Sequence, residues 1–137
     1  MEREFVPYEL AIKLKELGFN ERCFGYYYTL NGKDWKFAEK TEFYRLDDEI
    51  SIGGKFSLLA PTFSQCFRWF RDMHNMFHEI QIDRTTQPKF CYAVFHYEHY
   101  GNYEGIGIED WSLYRTYEEA ELACLDKLIE VVESKSE

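Results

Sequence analysis

The chain has 137 residues, a formal net charge of −9 and an aromatic content of 19%. This length suits one domain that buries a core without help from metals or disulfides. The excess of acids disfavours nonspecific nucleic-acid binding, because an acidic surface repels phosphate backbones. This excess favours instead a chain that binds a basic protein, or one that itself mimics a polyanion.

The acids are concentrated in the second half of the chain. Residues 1–68 contain 11 acids and 10 bases, a balance of −1, whereas residues 69–137 contain 14 acids and 6 bases, a balance of −8. The negative charge is therefore distributed unevenly along the chain.

The cysteines and the start of the chain indicate the compartment. Four cysteines form no Cys-x-x-Cys pair, and two of them stand in apolar helix patterns, as free thiols do in a reducing cytoplasm. The charged start Met1–Glu4 is unlike a signal peptide, and no apolar run reaches transmembrane length. We expect a cytoplasmic protein without a membrane partner.

Two helices are predicted at the ends of the chain. The first, Pro7–Leu17, starts at a proline that suits the first helical position and ends before Gly18, a left-handed stop. The last, Tyr117–Val132, follows a capping box formed by Thr116 and Glu119. The last five residues are polar and are expected to fray.

The strongest helix pattern lies in the middle of the chain. Thr62 and Gln65 have capping-box spacing, so each is predicted to bond the other's backbone N–H, and Asn75 suits a left-handed helix end. Apolar residues recur between them at the spacing of one helical face, at Phe63, Cys66, Phe67, Phe70 and Met73. We expect this helix to lie across a sheet.

An aromatic hairpin is predicted between the first two helices. Asn31-Gly32 is a strong signal for a two-residue turn, and it follows the strand Cys23–Leu30. Such a turn pairs Tyr28 with Trp35. The same register gives the first strand an aromatic face, formed by Phe24, Tyr26, Tyr28 and Leu30.

Strand alternation recurs at Met76–Ile82, Phe90–Tyr97 and Ile108–Tyr114, which gives the order α-β-β-α-β-β-β-α. Short connections favour antiparallel pairing. We predict a single α+β domain over residues 1–137, a two-layer sandwich in which three helices cover an antiparallel sheet of four to five strands.

Three blocks of the sequence carry a resemblance when they are taken together: Glu4–Ala11 running to Gly18-Phe19, Phe67–Arg71, and Tyr117–Ala123. Over most of its length the chain resembles a family of small uncharacterised proteins carried by phages and prophages of gut Bacteroides-type bacteria. That family has no assigned activity. The resemblance therefore implies a mobile-element context and a bacterial host cytoplasm, but no catalytic or binding residue.

The four histidines are weak candidates for a metal site. If the middle helix continued past Asn75, His74 and His78 would share one face, and His96-x-x-His99 could complete a zinc site. The predicted helix end between the first two argues against this, and a core histidine is the ordinary alternative. We expect no metal and no other cofactor.

A glycine-rich loop over residues 101–107 supplies candidate binding residues. It lacks the Gly-Lys-Ser/Thr of a phosphate loop, but tyrosines often act as rigid contacts in binding loops. We predict a binding patch formed by Tyr100, Tyr103 and Trp111. The alternative is a mobile hairpin tip without a function of its own.

These observations favour a non-enzymatic accessory protein of a phage or mobile element that binds a host or phage protein through an acidic or aromatic surface. One alternative is single-stranded nucleic-acid binding by the aromatic sheet face, although the net charge counts against nucleic acid. A second is a small enzyme with a histidine- or cysteine-based site, although no nucleophile signature is present. A homodimer is a further alternative, because so many aromatic residues exceed what one small core hides.

Overall fold

The computed structural model describes residues 4–44, 57–83, 89–96 and 108–135, with side chains for all of them except 40–44, 83 and 108–112. The described residues form three helices and six strands, which confirms the α+β class. In chain order the elements are α1 (Tyr8–Glu16), β1 (Cys23–Tyr28), β2 (Lys36–Tyr44), β3 (Ser57–Ala60), α2 (Phe63–His74), β4 (Met76–Asp83), β5 (Lys89–His96), β6 (Ile108–Tyr114) and α3 (Tyr117–Lys135).

The strands form two three-stranded antiparallel sheets, in the orders β2-β1-β3 and β4-β5-β6. The chain divides into two compact units, Met1–Gln65 and Cys66–Glu137, with one sheet in each. The single sheet of four to five strands is not confirmed. The predicted order also lacked β3, whose four residues are all buried and too few for an alternation to show.

In the first unit α1 ends as its sequence predicts. Gly18 has a φ of +100°, and its N–H bonds the Lys15 carbonyl while the Phe19 N–H bonds the Leu14 carbonyl. This pair of bonds is the Schellman motif, in which a left-handed glycine satisfies the last helical carbonyls. At the other end Pro7 is the N-cap, with extended backbone, rather than the first helical residue.

The loop of the first hairpin is longer than predicted, and the pairing of its two strands is shifted by one residue. Tyr28 pairs with Lys36, and Tyr27 pairs with Phe37. The connection folds around Asn31, whose side-chain oxygen accepts the N–H groups of Lys33 and Asp34. Side-chain bonds of this kind stabilise a wider turn than the two residues that Asn-Gly favours. Because side chains alternate along a strand, the shift of one residue changes which aromatic rings of β2 oppose those of β1.

Tyr27 is the residue of β1 that this register carries into the core of the first unit. Its ring lies 5.5 Å from the ring of Phe37 and 5.8 Å from that of Tyr8. Its hydroxyl donates a buried hydrogen bond of 2.7 Å to the Val6 carbonyl. The bond attaches the N-terminal segment to the central strand of the sheet.

We expect Tyr27→Phe to lower the free energy of unfolding by about 1–2 kcal/mol, because a buried carbonyl loses its donor. Urea denaturation of the purified variant measures the change. Tyr28→Phe is the control, since its half-buried ring lies on the opposite side of β1, and it should change stability by less than about 0.5 kcal/mol. Equal effects of the two substitutions would contradict the assigned register.

The middle helix α2 keeps its predicted ends. Asn75 has a φ of +53°, and the Thr62 hydroxyl accepts the N–H of Gln65. The reciprocal half of the capping box is not formed, because the Gln65 amide donates instead to the Arg22 carbonyl. Four of the five residues of the predicted apolar face are buried, but Met73 is 65% exposed, and the buried Trp69 was not assigned to that face.

In the second unit β4 and β5 pair without interruption from Met76↔His96 to Asp83↔Lys89. The last helix starts at its predicted cap, where the Thr116 hydroxyl accepts the N–H of Glu119. It continues to Lys135, so the start of the segment expected to fray is helical. Its buried residues are Ala120, Cys124, Leu125, Leu128, Ile129 and Val132.

Within the part of the chain that the structure describes, no helix is both long enough and apolar enough to cross a membrane.

Candidate functional site

The binding patch predicted from the glycine-rich loop is not placed by the structure. Tyr100 and Tyr103 lie outside the described residues. Trp111 belongs to β6, but its side chain is among those that are not described. This binding patch therefore stays a prediction.

Two of the histidines that the structure describes, His74 and His78, have aromatic neighbours. The His78 ring stacks on Phe67, with centroids 3.6 Å apart and an angle of 9° between the planes. His74 contacts Trp69 and Phe70 at ring distances of 4.9 and 5.8 Å. His99 lies outside the described residues, and the described ones contain no group of three or more side chains that could hold a metal.

Burial determines the charge of these two rings. It lowers the pKa of His78 to about 4, with a smaller contribution from the positive charge of Arg71. It also lowers the pKa of His74, and Lys135 acts in the same direction. Both rings are therefore mainly neutral at pH 7.

We expect His78 to make the fold less stable in acid. The unfolded chain binds a proton near pH 6.5, whereas folded His78 binds it only near pH 4. The stability that neutral His78 contributes is thus present above pH 6.5 and decreases as the pH falls toward 4. His78→Phe keeps a flat ring but does not titrate. Between pH 6.5 and pH 4 the free energy of unfolding of this variant should therefore fall less than that of the unsubstituted protein. The expected difference is roughly 1–2 kcal/mol after allowance for solvent screening.

Chemical denaturation at several pH values measures the free energy of unfolding of both proteins. The effect of the carboxylates is the same in both, so it cancels in the difference between them. Identical pH profiles, or an NMR titration of His78 near pH 6.5, would contradict the neutral stacked ring.

The four cysteines are buried and form no disulfide. Burial raises the pKa of Cys124 to about 12, with a further contribution from Glu121. Burial also raises the pKa of Cys23, and Glu21 adds to the effect. A thiol becomes a nucleophile only as the thiolate, so these two positions do not favour cysteine catalysis.

An exposed aromatic cluster lies at one end of the second sheet, and we name Ile82, Phe90, Tyr114 and Tyr117 the aromatic patch. Phe90 is at its centre, opposite Ile82 on β4 and opposite Tyr114 on β6. Tyr117, the first residue of α3, meets Phe90 edge to face at 6.0 Å. Ile82 is 52% exposed and Tyr117 44% exposed, so the cluster presents both aliphatic and aromatic surface to solvent.

Carboxylates lie beside the aromatic patch. Burial raises the pKa of Tyr117, and the negative charges of Glu121 and Glu118 raise it further. Burial and the neighbouring Glu118 also raise the pKa of Glu121. A negative potential therefore surrounds Tyr117, and a positive group brought to this position would lower the free energy of both carboxylates.

Sequence reasoning did not find the aromatic patch, because strand register creates it. Ile82, Phe90 and Tyr114 were each placed in predicted strands, but nothing in the sequence shows which of them stand opposite one another. Tyr117 was assigned only to a helix start. The available signal was that three large apolar residues stand close to strand ends, where a sheet is less completely covered.

Comparison of the chain with protein-family models, with curated proteins and with solved structures gives no match.

Proposed function

We propose that the chain is a non-enzymatic accessory protein of a phage or other mobile element. In this proposal it acts in the cytoplasm of a bacterial host by binding another protein, and the aromatic patch is the binding surface. The observation that carries the proposal is the position of Phe90 between two exposed neighbours, Ile82 and Tyr117. Exposed clusters of large apolar residues commonly mark protein interaction sites.

The chemistry of the partner follows from the residues around the patch. Tyrosine rings are frequent at binding hot spots, because they bury a large area and keep a polar end for hydrogen bonding. A lysine or arginine side chain can lay its apolar stem on Phe90 and its charge against Tyr117 or Glu121. We therefore propose a partner segment in which basic residues alternate with apolar ones, and the balance of −8 over residues 69–137 supports this choice.

The roles of other side chains support binding rather than catalysis. His74 and His78 are neutral rings packed against aromatic residues, and the thiols of Cys23 and Cys124 are held in the protonated form. These four side chains, which a histidine- or cysteine-based site could have used, are therefore engaged in packing or held neutral.

Site-specific photo-crosslinking in a bacterial host tests this proposal. A photoreactive phenylalanine replaces Tyr117 in one variant and Glu16, an exposed residue of α1, in the control. Only the variant at position 117 should give a reproducible adduct with a second protein. Ile82→Ala and the charge reversal Glu118→Lys should each reduce that adduct, because they remove apolar contact and complementary charge respectively.

Two outcomes would overturn the proposal. The first is an identical set of adducts from both positions, or no adduct from position 117. The second is an adduct of twice the chain's 16.6 kDa, which would show that a second copy of the chain occupies the aromatic patch.

A further inference from the structure

The turn of the first hairpin brings together the groups of an intramolecular reaction. Asn31 is followed by Gly32, and both residues are exposed. The backbone nitrogen that follows an asparagine can attack the side-chain amide carbon and close a five-membered ring. Glycine favours this attack, since it has no side chain that would shield its nitrogen. Because both groups belong to one chain, the rate depends on how the turn positions them.

The amide oxygen of Asn31 lies among three hydrogen-bond donors. The backbone N–H groups of Lys33 and Asp34 donate to this Oδ1 atom at 2.8 and 2.9 Å, and the Thr29 hydroxyl donates to it at 3.0 Å. Attack on the amide carbon moves negative charge onto the same oxygen. Donors that already point at such an oxygen act as an oxyanion hole and lower the barrier to attack.

The Thr29 hydroxyl contacts both reacting groups. Its oxygen accepts the N–H of Gly32 at 3.1 Å, and its proton is donated to the Asn31 amide oxygen. A hydroxyl can act as donor and acceptor at once, so it can take the proton of the attacking nitrogen while it passes its own to the amide oxygen. Thr29 is only 4% exposed, so water competes little for these bonds.

Asp34 holds the nitrogen that would leave. The Asn31 side-chain nitrogen donates a hydrogen bond of 2.9 Å to Oδ2 of Asp34. The released ammonia takes up a proton at neutral pH, and a neighbouring carboxylate favours that positive charge. The attacking nitrogen, the amide oxygen and the leaving nitrogen therefore each have a suitable hydrogen-bond partner within the turn.

We propose that Asn31-Gly32 is a self-modification site, which the folded chain converts to aspartate and isoaspartate. The Gly32 nitrogen bonds to Cγ of Asn31, its proton passes to Thr29, and the Thr29 hydroxyl proton passes to Oδ1. The resulting hydroxyl then returns a proton to the side-chain nitrogen, the bond from Cγ to that nitrogen breaks, and ammonia leaves a cyclic imide. Water, the one co-reactant, adds to either imide carbonyl and opens the ring.

The products alter the structure of the turn. Each adds one negative charge to the formal net charge of −9 and places a second carboxylate where Asn31 now donates to Asp34. Isoaspartate also lengthens the main chain by one carbon atom. Both changes remove bonds that hold the loop beside the Tyr28 and Lys36 pair. The reaction is thus an irreversible, time-dependent change in the first unit, and it is independent of the aromatic patch.

Peptide mapping by mass spectrometry of the full chain, sampled during incubation in warm neutral buffer, tests the proposal. Trypsin releases the peptide 23–33, whose mass rises by one dalton on conversion, and chromatography separates its aspartate and isoaspartate forms. We expect conversion in the folded chain to be roughly tenfold or more faster than in the same chain unfolded in guanidinium. Asn75, which precedes Met76, is the internal reference and should convert far more slowly.

Thr29→Val and Thr29→Ser form a matched pair, because the two side chains are similar in size and only serine keeps the hydroxyl. Valine should slow conversion roughly tenfold or more, whereas serine should leave it nearly unchanged. If Thr29→Val does not fold, Asp34→Ala at an exposed position provides the test and should slow conversion severalfold.

Three results would overturn the proposal. The first is conversion in the folded chain that is no faster than in guanidinium, which would mean that the bonds of the turn protect Asn31. The second is an equal rate in Thr29→Val and Thr29→Ser. The third, where Asp34→Ala provides the test, is a rate that this substitution leaves unchanged.

Discussion

Phe70→Ala should lower the free energy of unfolding by about 3–5 kcal/mol, the range measured for phenylalanine truncation in closely packed cores. Phe70 is the largest of the described side chains that are fully buried. The centroid of its ring lies 5.1 Å from that of Trp69 and 5.8 Å from that of His74. Truncation removes these contacts and leaves a cavity that the neighbouring rings fill only in part. Urea denaturation followed by tryptophan fluorescence measures the loss.

Met73→Ala is the matched control for Phe70→Ala. Met73 is three residues further along the same helix, but it is 65% exposed. Its truncation should change the free energy of unfolding by less than about 0.5 kcal/mol. Similar losses for the two variants would mean that α2 faces another direction than the structure shows.

Gly25→Ala should also destabilise the fold, by about 1–3 kcal/mol. A Cβ atom at this position of β1 would lie 2.7 Å from Cδ1 of Phe5 and 2.8 Å from Cε2 of Phe37. Both contacts are with rigid rings, which themselves pack at 4.9 Å. Without such a clash, alanine in a strand is more stable than glycine by roughly 0.5–1 kcal/mol. A loss of stability on Gly25→Ala would therefore show that the methyl group collides with the rings.

A double variant tests whether the Phe5 ring is the cause. Phe5→Leu has its own cost, but the smaller side chain should relieve part of the clash with the methyl group that Gly25→Ala introduces. The double variant Phe5→Leu, Gly25→Ala should therefore lose less stability than the sum of the single losses. A neutral or stabilising Gly25→Ala would contradict the close approach of these rings to the backbone.

The helices were predictable because their ends depend on local chemistry. Gly18 and Asn75 have positive φ values in the structure, and the hydroxyls of Thr62 and Thr116 bond the expected N–H groups. Each of these interactions involves residues only a few positions apart. Met73 is the exception, because the helical period defines a broad face and tertiary packing decides which edge of it is buried.

The sheets and the aromatic patch were less predictable, because they depend on contacts between distant residues. Asn31-Gly32 indicated a two-residue turn, but side-chain bonds from Asn31 hold a wider loop and shift the register by one residue. The shared face of Phe24, Tyr26 and Tyr28 was recognised from alternation alone, although Leu30, predicted to continue it, lies beyond the end of β1. The aromatic patch was not, because it requires the pairing of Phe90 with Ile82 and with Tyr114.

Alkylation of the four buried thiols can measure local opening of the structure. Cys23 belongs to the first unit, whereas Cys66, Cys91 and Cys124 belong to the second. An alkylating reagent reaches each sulfur only when the surrounding structure opens. Mass spectrometry of the native protein during labelling therefore measures the rate of opening in each unit separately. Simultaneous labelling of all four would show one cooperative folding unit, as the predicted single domain requires, whereas earlier labelling of one group would reveal two.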